Sequence, residues 1–234
     1  MYGYYGFYWD EPWVVVLLLI ATAFAGYAQL KVSSSFKKYS DVRSSRNITG
    51  AEAAMQVLRN NGITDVSVER ISGNLTDHFD PTSNVIRLSD SVYDKTSVAA
   101  IGVAAHEAGH AVQYAQGYAP MSLRAAIIPV ANLGTTIAFP LIIAGMFFGA
   151  FLTNLGIILF SMTAVFQFVT LPVEFDASNR ALVALESGHI LSDEEMTGAK
   201  KVLSAAAMTY VAALAMSIVQ VIRLVVRYGG RSND

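Results

Sequence analysis

"AAIIPVANLGTTIAFPLIIAGMFFGAFLTNLGIILFSMTAVFQFVTLPV", residues 125–173, holds no Asp, Glu, Lys or Arg in 49 positions. As one straight helix it would run about 74 Å, more than twice a hydrocarbon core of roughly 30 Å. The chain must fold back within it, and the turn is expected at residues 149–154 (GAFLTN), where Gly, Thr and Asn interrupt the apolar run. Two spans result, residues 125–148, bent at Pro129 or Pro140, and residues 155–171. They form a membrane hairpin.

The rest of the chain agrees with this reading. Hydrophobic residues make up 53% of the 234 and charged ones 15%, which is too apolar for an ordinary soluble domain. Residues 13–30 (WVVVLLLIATAFAGYAQL) form a second uncharged run, with Trp9, Trp13 and Tyr27 as candidate interfacial anchors. Asp10 and Glu11 precede it and no basic residue does, the reverse of a cleavable signal, so it is read as an anchor. Residues 203–222 (LSAAAMTYVAALAMSIVQVI) are uncharged and Ala-rich, either a further span or a helix packed among the others through its small residues. The expectation is a multi-pass protein of the cell membrane with three to four transmembrane helices.

Sidedness follows from the flanks. Lys31, Lys37, Lys38, Arg43 and Arg46 crowd the exit of the first run and Arg124 precedes the hairpin, which places residues 31–124 in the cytoplasm. This basic cluster is read as a solvated, topology-setting flank. Arg223, Arg227 and Arg231 would lie outside if residues 203–222 cross, in mild conflict with the same rule. With 16 basic and 18 acidic residues, net −2, no nucleic-acid surface is expected. No cysteine is present, so disulfides and thiol chemistry are excluded and a metal site must use His, Asp and Glu.

Within residues 31–124, Thr49 and Glu52 have the spacing of a capping box, and an amphipathic helix is expected over 49–60, stopped at Asn61-Gly62. Residues 65–71 and 84–88 alternate as half-buried strands and are expected to pair as a small antiparallel sheet. Residues 97–115 read as a long apolar helix ended by Gly117 and Pro120. Its middle carries "HEAGH", residues 106–110.

On a helix, His106 and His110 share one face about 6 Å apart along the axis, so each can turn one imidazole nitrogen to a single zinc ion. Glu107 is offset from that pair and is placed to take a proton from a water, as a general base does. Two core histidines and a surface Glu are the plainer alternative, but burying such groups on an apolar helix without a partner is costly. A third ligand is needed, and Glu174 is chosen, read as starting a new helix after Pro172. Two crossings separate it from His110, which returns it to the same side of the membrane. His78 and His189 are the other histidines. His78 is a candidate oxyanion donor because it precedes the strand 84–88, read as an edge strand able to pair with an extended peptide; a turn histidine held by Asp77 or Asp80 is equally consistent. Arg180 is a further candidate, with an ion pair to Asp176 or Glu186 as its plain role. His189 is read as a helix-end or loop residue.

Four stretches, "LTDHFDPTSNVIRLS" (75–89), "VAAHEAGHAVQ" (103–113), "LPVEFDASNRAL" (171–182) and "AKKVLSAAAMTYVAAL" (199–214), resemble the bacterial membrane-associated neutral zinc metallopeptidases of the YugP-like type. At a distance they are similar to the HtpX-type gluzincin membrane proteases. The resemblance implies one zinc per chain, with His106, His110 and Glu174 as ligands and Glu107 as base. The distant relatives place an Asp four residues after the ligand Glu to steady a zinc histidine; here that position is Ser178, and Asp176 lies on a different face. The partners of the two imidazoles therefore stay open.

The expected architecture is mainly α and integral to the membrane, with a zincin-like HExxH helix and a small antiparallel β element. Its parts are an anchor (1–30), a cytoplasmic zincin-like region (31–124), the hairpin (125–171), a helix with the third ligand and a loop (172–202), and a C-terminal membrane helix and tail (203–234). The expected function is a zinc metalloendopeptidase acting on membrane or juxtamembrane protein segments in protein quality control, with the lipid bilayer as its other partner. A non-catalytic zinc scaffold that binds partners is the alternative. A small transporter is disfavoured because Asn132, Thr135, Thr136 and Gln167 are uncharged and ordinary for helix packing. No feature reads out the oligomeric state.

Overall fold

The computed structural model describes residues 10–229; Trp9 and Arg231 lie outside them. Six helices and three strands follow in the order α1 (Pro12–Ser40), α2 (Gly50–Asn60), β1 (Ser67–Ile71), β2 (His78–Asp80), β3 (Val85–Ser89), α3 (Val98–Ala115), α4 (Ala119–Phe148), α5 (Ala150–Ser187) and α6 (Asp193–Tyr228). They form two compact units. One comprises residues up to 26, 124–168 and 211 onward, and the other residues 27–123 and 169–210. Helices α1, α4, α5 and α6 each contribute to both, α4 only by its first five residues to the second.

In the first unit, α4 and the early part of α5 are the expected hairpin. Its turn is tighter than the sequence suggested, a single residue, Gly149, whose φ of +118° suits a residue without a Cβ. Small residues line the α4/α5 contact, with Gly134 against the Leu159 carbonyl and Gly156 against that of Ala138. Pro129 and Pro140 both sit inside α4 without ending it. The apolar side chains of Leu19, Ile20, Phe139, Phe147, Phe148, Phe151 and Ile158 are exposed, which water would penalise and lipid tails do not. Helices α1, α4, α5 and α6 are long and apolar enough to cross a membrane. Arg223 and Arg227 pair with Asp10 at 2.8 and 3.4 Å, so these arginines tie the end of α6 to the approach to α1.

Pro172 does not separate two helices as expected. Helix α5 runs from Ala150 to Ser187 with Pro172 inside it, so Glu174 is a mid-helix residue rather than the start of a new element. A proline removes one N–H from the ladder, and the following residues resume their bonds once neighbours absorb the ring. Pro120 likewise lies in the first turn of α4, where its missing N–H costs nothing. The uncharged run 203–222 is enclosed in the longer α6.

The second unit packs α2 and the sheet onto α3. Thr49 caps α2: its hydroxyl accepts from the Glu52 N–H at 3.2 Å, and the Glu52 carboxylate accepts from the Thr49 N–H at 2.7 Å, the expected capping box. The sheet order is β1-β3-β2. Strands β2 and β3 are antiparallel, Phe79 facing Ile86, but β1 runs parallel to β3, Val68 beside Ile86. This corrects the expected antiparallel pairing of β1 with β3. The connection between them carries β2, so the chain reverses twice and β3 returns in the direction of β1. Strand β3 is therefore central, and β1 and β2 are the edges; the expectation of β3 as an edge strand is corrected with it.

Ser97 caps α3 through the Ala100 N–H at 3.2 Å. Nearly every residue of α3 from Val98 to Gln113 is buried, on all faces, which explains its apolar sequence. Its own Ile101 and, around it, Ile86, Leu88, Leu185 and Ile190 are fully buried, each worth about 1.5–3 kcal/mol of apolar transfer.

Candidate metal centre

The second unit brings His106 and His110 of α3 to Glu174 of α5. The Oε2 of Glu174 lies 3.3 Å from Nε2 of His106 and 3.6 Å from Nε2 of His110. The rings stand edge to face with centroids 4.7 Å apart. One ligand atom from each residue falls within 4.8 Å of the others. Four ligands placed tetrahedrally at about 2.0–2.1 Å from zinc lie about 3.3–3.4 Å from each other. The observed separations are long for hydrogen bonds but suit the edges of such a tetrahedron. The donor set, two imidazoles and a carboxylate, fits zinc.

Each imidazole is steadied through its other nitrogen. His110 Nδ1 donates to Oε1 of Gln113 at 3.0 Å, and the Gln113 amide donates to the Val173 carbonyl and to Asp176 Oδ2, both at 2.8 Å. Because that amide nitrogen has two acceptors, the Gln113 oxygen must face the histidine, which fixes the Nδ1–H tautomer and leaves Nε2 with its lone pair. Gln113 is fully buried. Arg180 ion-pairs with Asp176 and donates to Gln116, so the chain of bonds runs on from His110 to the surface. The plain role considered for Arg180, the pair with Asp176, is the one observed. His106 Nδ1 meets the Ser178 hydroxyl at 3.1 Å. The residue that stands in place of an Asp in distant relatives thus still contacts a histidine, through a neutral hydroxyl.

Glu107 is buried at 8% exposure, and its carboxylate makes no hydrogen bond with another of the described residues. Its charge acts on His110 and on Asp77. Burial pushes the Asp77 carboxyl above its ordinary range against the pull of two hydrogen bonds from Ser89, and the Glu107 charge adds to the rise.

The structure does not gather every residue considered from sequence. His78 sits on β2 opposite Arg87, its Nδ1–H donating to the Thr76 carbonyl at 2.9 Å, outside the His106, His110 and Glu174 cluster. His189 has φ +50° beyond the end of α5, with Nδ1 3.1 Å from the Ser187 carbonyl, the arrangement of a helix-end residue. Gln113 was missed, and Asp77, considered from sequence only as a holder of His78, instead bonds Ser89. Gln113 lies three residues after His110, on the same helix face, and is the one amide in a run of apolar positions. Asp77 carried no such signal.

Residues 14–229 match a family model described as "Putative neutral zinc metallopeptidase". The chain is also similar to the "Putative membrane protease YugP" of Bacillus subtilis (strain 168), 47% identical over 222 residues, which cover 94% of this chain and 99% of that protein. No solved structure matches it.

Proposed function

Because the chain belongs to the neutral zinc metallopeptidase family, we propose that it is a membrane-embedded metalloendopeptidase that cuts membrane or juxtamembrane protein segments on the cytoplasmic side. The observation that carries this reading is the convergence of two imidazole Nε2 atoms and one carboxylate oxygen at 3.3 and 3.6 Å, beside a buried carboxylate that is not a ligand. His106, His110 and Glu174 would hold one zinc per chain. A bound zinc supplies Lewis acidity towards a scissile carbonyl and a lowered pKa for water.

The protein's own residues account for the rest. Glu107 accepts a proton on its carboxylate and later gives it to the leaving amine, in a buried setting where no other described residue hydrogen-bonds that carboxylate. Gln113 keeps the His110 imidazole in the tautomer that presents Nε2, and Ser178 anchors the His106 ring through its Nδ1. The free edge of β2, rather than β3, offers backbone groups to an extended peptide. His78 is kept as the candidate oxyanion donor, with its Nδ1 engaged by the Thr76 carbonyl.

Membrane clients are favoured because Glu174 is the first charged residue after the 49-residue uncharged run. The basic residues that follow the first apolar run support the cytoplasmic side, and turnover of damaged membrane proteins is the role that fits. A non-catalytic zinc scaffold would not need a buried Glu107. Glu107→Gln separates the two readings: it should keep zinc and lose hydrolysis of an unfolded membrane-protein substrate by at least about 100-fold. Hydrolysis at the wild-type rate would refute the assignment of the base.

A further inference from the structure

The lysines after the first apolar run were read from sequence as a solvated flank. The structure adds a second pair to them from 160 residues away. Lys31 and Lys38 of α1 and Lys200 and Lys201 of α6 line one groove of about 720 Å³ within the second unit. No Asp or Glu is among its lining residues, and none of the four lysines pairs with a carboxylate among the described residues. Four like charges around one cleft repel each other, an arrangement that favours an anionic occupant.

The walls of the groove are shaped rather than merely charged. Tyr39 packs so closely on α6 that a Cβ at Gly198 would stand 2.7 Å from its ring, which holds α1 and α6 together at this level. Lys38 lies over the same ring, 5.5 Å from its centre. Further along, Met208 gives the groove an apolar end. The uncharged run of α1 ends at Leu30, one residue before Lys31, and that of α6 begins at Leu203, two residues after Lys201. Lys31, Lys200 and Lys201 therefore stand where two apolar segments give way to polar ones, the level at which phospholipid headgroups lie, and Lys38 stands about two turns further along α1.

We propose that this groove binds the phosphate-bearing headgroup of an anionic phospholipid, with the lysines on the phosphate and the acyl chains leaving along the apolar end. The site is distinct from the metal centre and does not depend on hydrolytic activity. A lysine near an anionic membrane surface contributes about five-fold in affinity, so removing two should cost about 30-fold.

The test uses the purified full chain in micelles containing equimolar phosphatidylglycerol and phosphatidylcholine, with retained lipid read by native mass spectrometry. The wild type should retain phosphatidylglycerol in preference, less so as salt is raised. Lys200→Gln with Lys201→Gln should lower that retention by about 30-fold while zinc content is unchanged, whereas Lys37→Gln with Lys95→Gln, which removes equal charge outside the groove, should lower it far less. Equal losses in the two double variants would reduce the effect to general attraction by the flank and overturn the proposal. So would a wild type without preference between the two lipids, which needs no variant to fold. Displacement of the lipid by millimolar inorganic phosphate would make the site one for a soluble anion and would also overturn it.

Discussion

Gly109 lies within HEAGH, and a Cβ built on it would fall 2.5 Å from the Ala177 carbonyl oxygen and 3.2 Å from its carbon. Ordinary contact begins near 3.4 Å. The obstacle is backbone, which no rotamer change can move, so Gly109→Ala must part α3 from α5 by roughly 0.9 Å or distort one of them. Ligand distances tolerate about 0.2 Å. Glu174 and Ser178 flank Ala177 on the displaced helix, so the third ligand and the partner of His106 both shift. Zinc affinity should fall at least about 10-fold, and overpacking should cost about 1–3 kcal/mol against up to about 1 kcal/mol gained in helix propensity. Gly102→Ala, seven residues earlier on the same helix, is the control. There the nearest atoms, Cα and Cβ of Ala199, are 3.6 Å away, so the variant should hold zinc normally and gain up to about 1 kcal/mol. Zinc affinity by chelator competition and thermal unfolding in detergent read both. A Gly109→Ala protein with wild-type zinc affinity and a Tm equal to that of Gly102→Ala would refute the close approach as the determinant of the site.

Two further predictions concern the surroundings of the ligands. Gln113→Ala leaves His110 without its acceptor and Asp176 without its amide donor, and should weaken zinc binding about 10- to 100-fold while the chain stays folded; unchanged affinity in the same competition assay would mean His110 needs no such partner. Asp77 titrates above its ordinary range because it is buried, so the folded chain binds its proton more tightly than the unfolded chain does. Its contribution to stability is full below about pH 3.9 and is lost as pH rises through the raised value. Asp77→Asn mimics the protonated group, its carbonyl accepting from the Ser89 N–H and its amide donating to the Ser89 hydroxyl, and should flatten that decline in denaturant unfolding across a pH series. An identical slope in wild type and variant would remove Asp77 as the cause.

What could be read from the sequence was local or carried by composition. The absence of charge over 125–173 required a hairpin, Thr49 with Glu52 marked a helix start, and HEAGH marked two candidate ligands and a carboxylate. The hairpin depends on composition alone, and the helix start and the HEAGH motif depend on residues within a few positions of each other. The direction of β1 relative to β3 does not: alternating Val66, Val68 and Ile86, Leu88 suits either direction, and β2, which decides it, is only three residues long. Pro172 was read as a boundary because a proline breaks a helix in water, whereas α5 is packed tightly enough to carry it. The raised titration of Asp77 had no sign in the sequence, because the partial burial that causes it is a property of the fold rather than of the residue.

The continuity of α5 changes how the site is understood. If Glu174 began a helix after a loop, its position would depend on the loop. Inside a continuous helix it shares a rigid frame with Ala177 and Ser178, at positions i, i+3 and i+4. His106, Gly109 and His110 on α3 repeat the same spacing. Each helix thus presents two functional side chains with a small residue between them, and the small residues, Gly109 and Ala177, are the point of contact. Closeness at that point aligns His106 with both Glu174 and Ser178, and His110 with Glu174. On this geometry the metal centre is a property of one helix crossing, so the side chain volume at residues 109 and 177 should govern zinc affinity as directly as the ligands themselves.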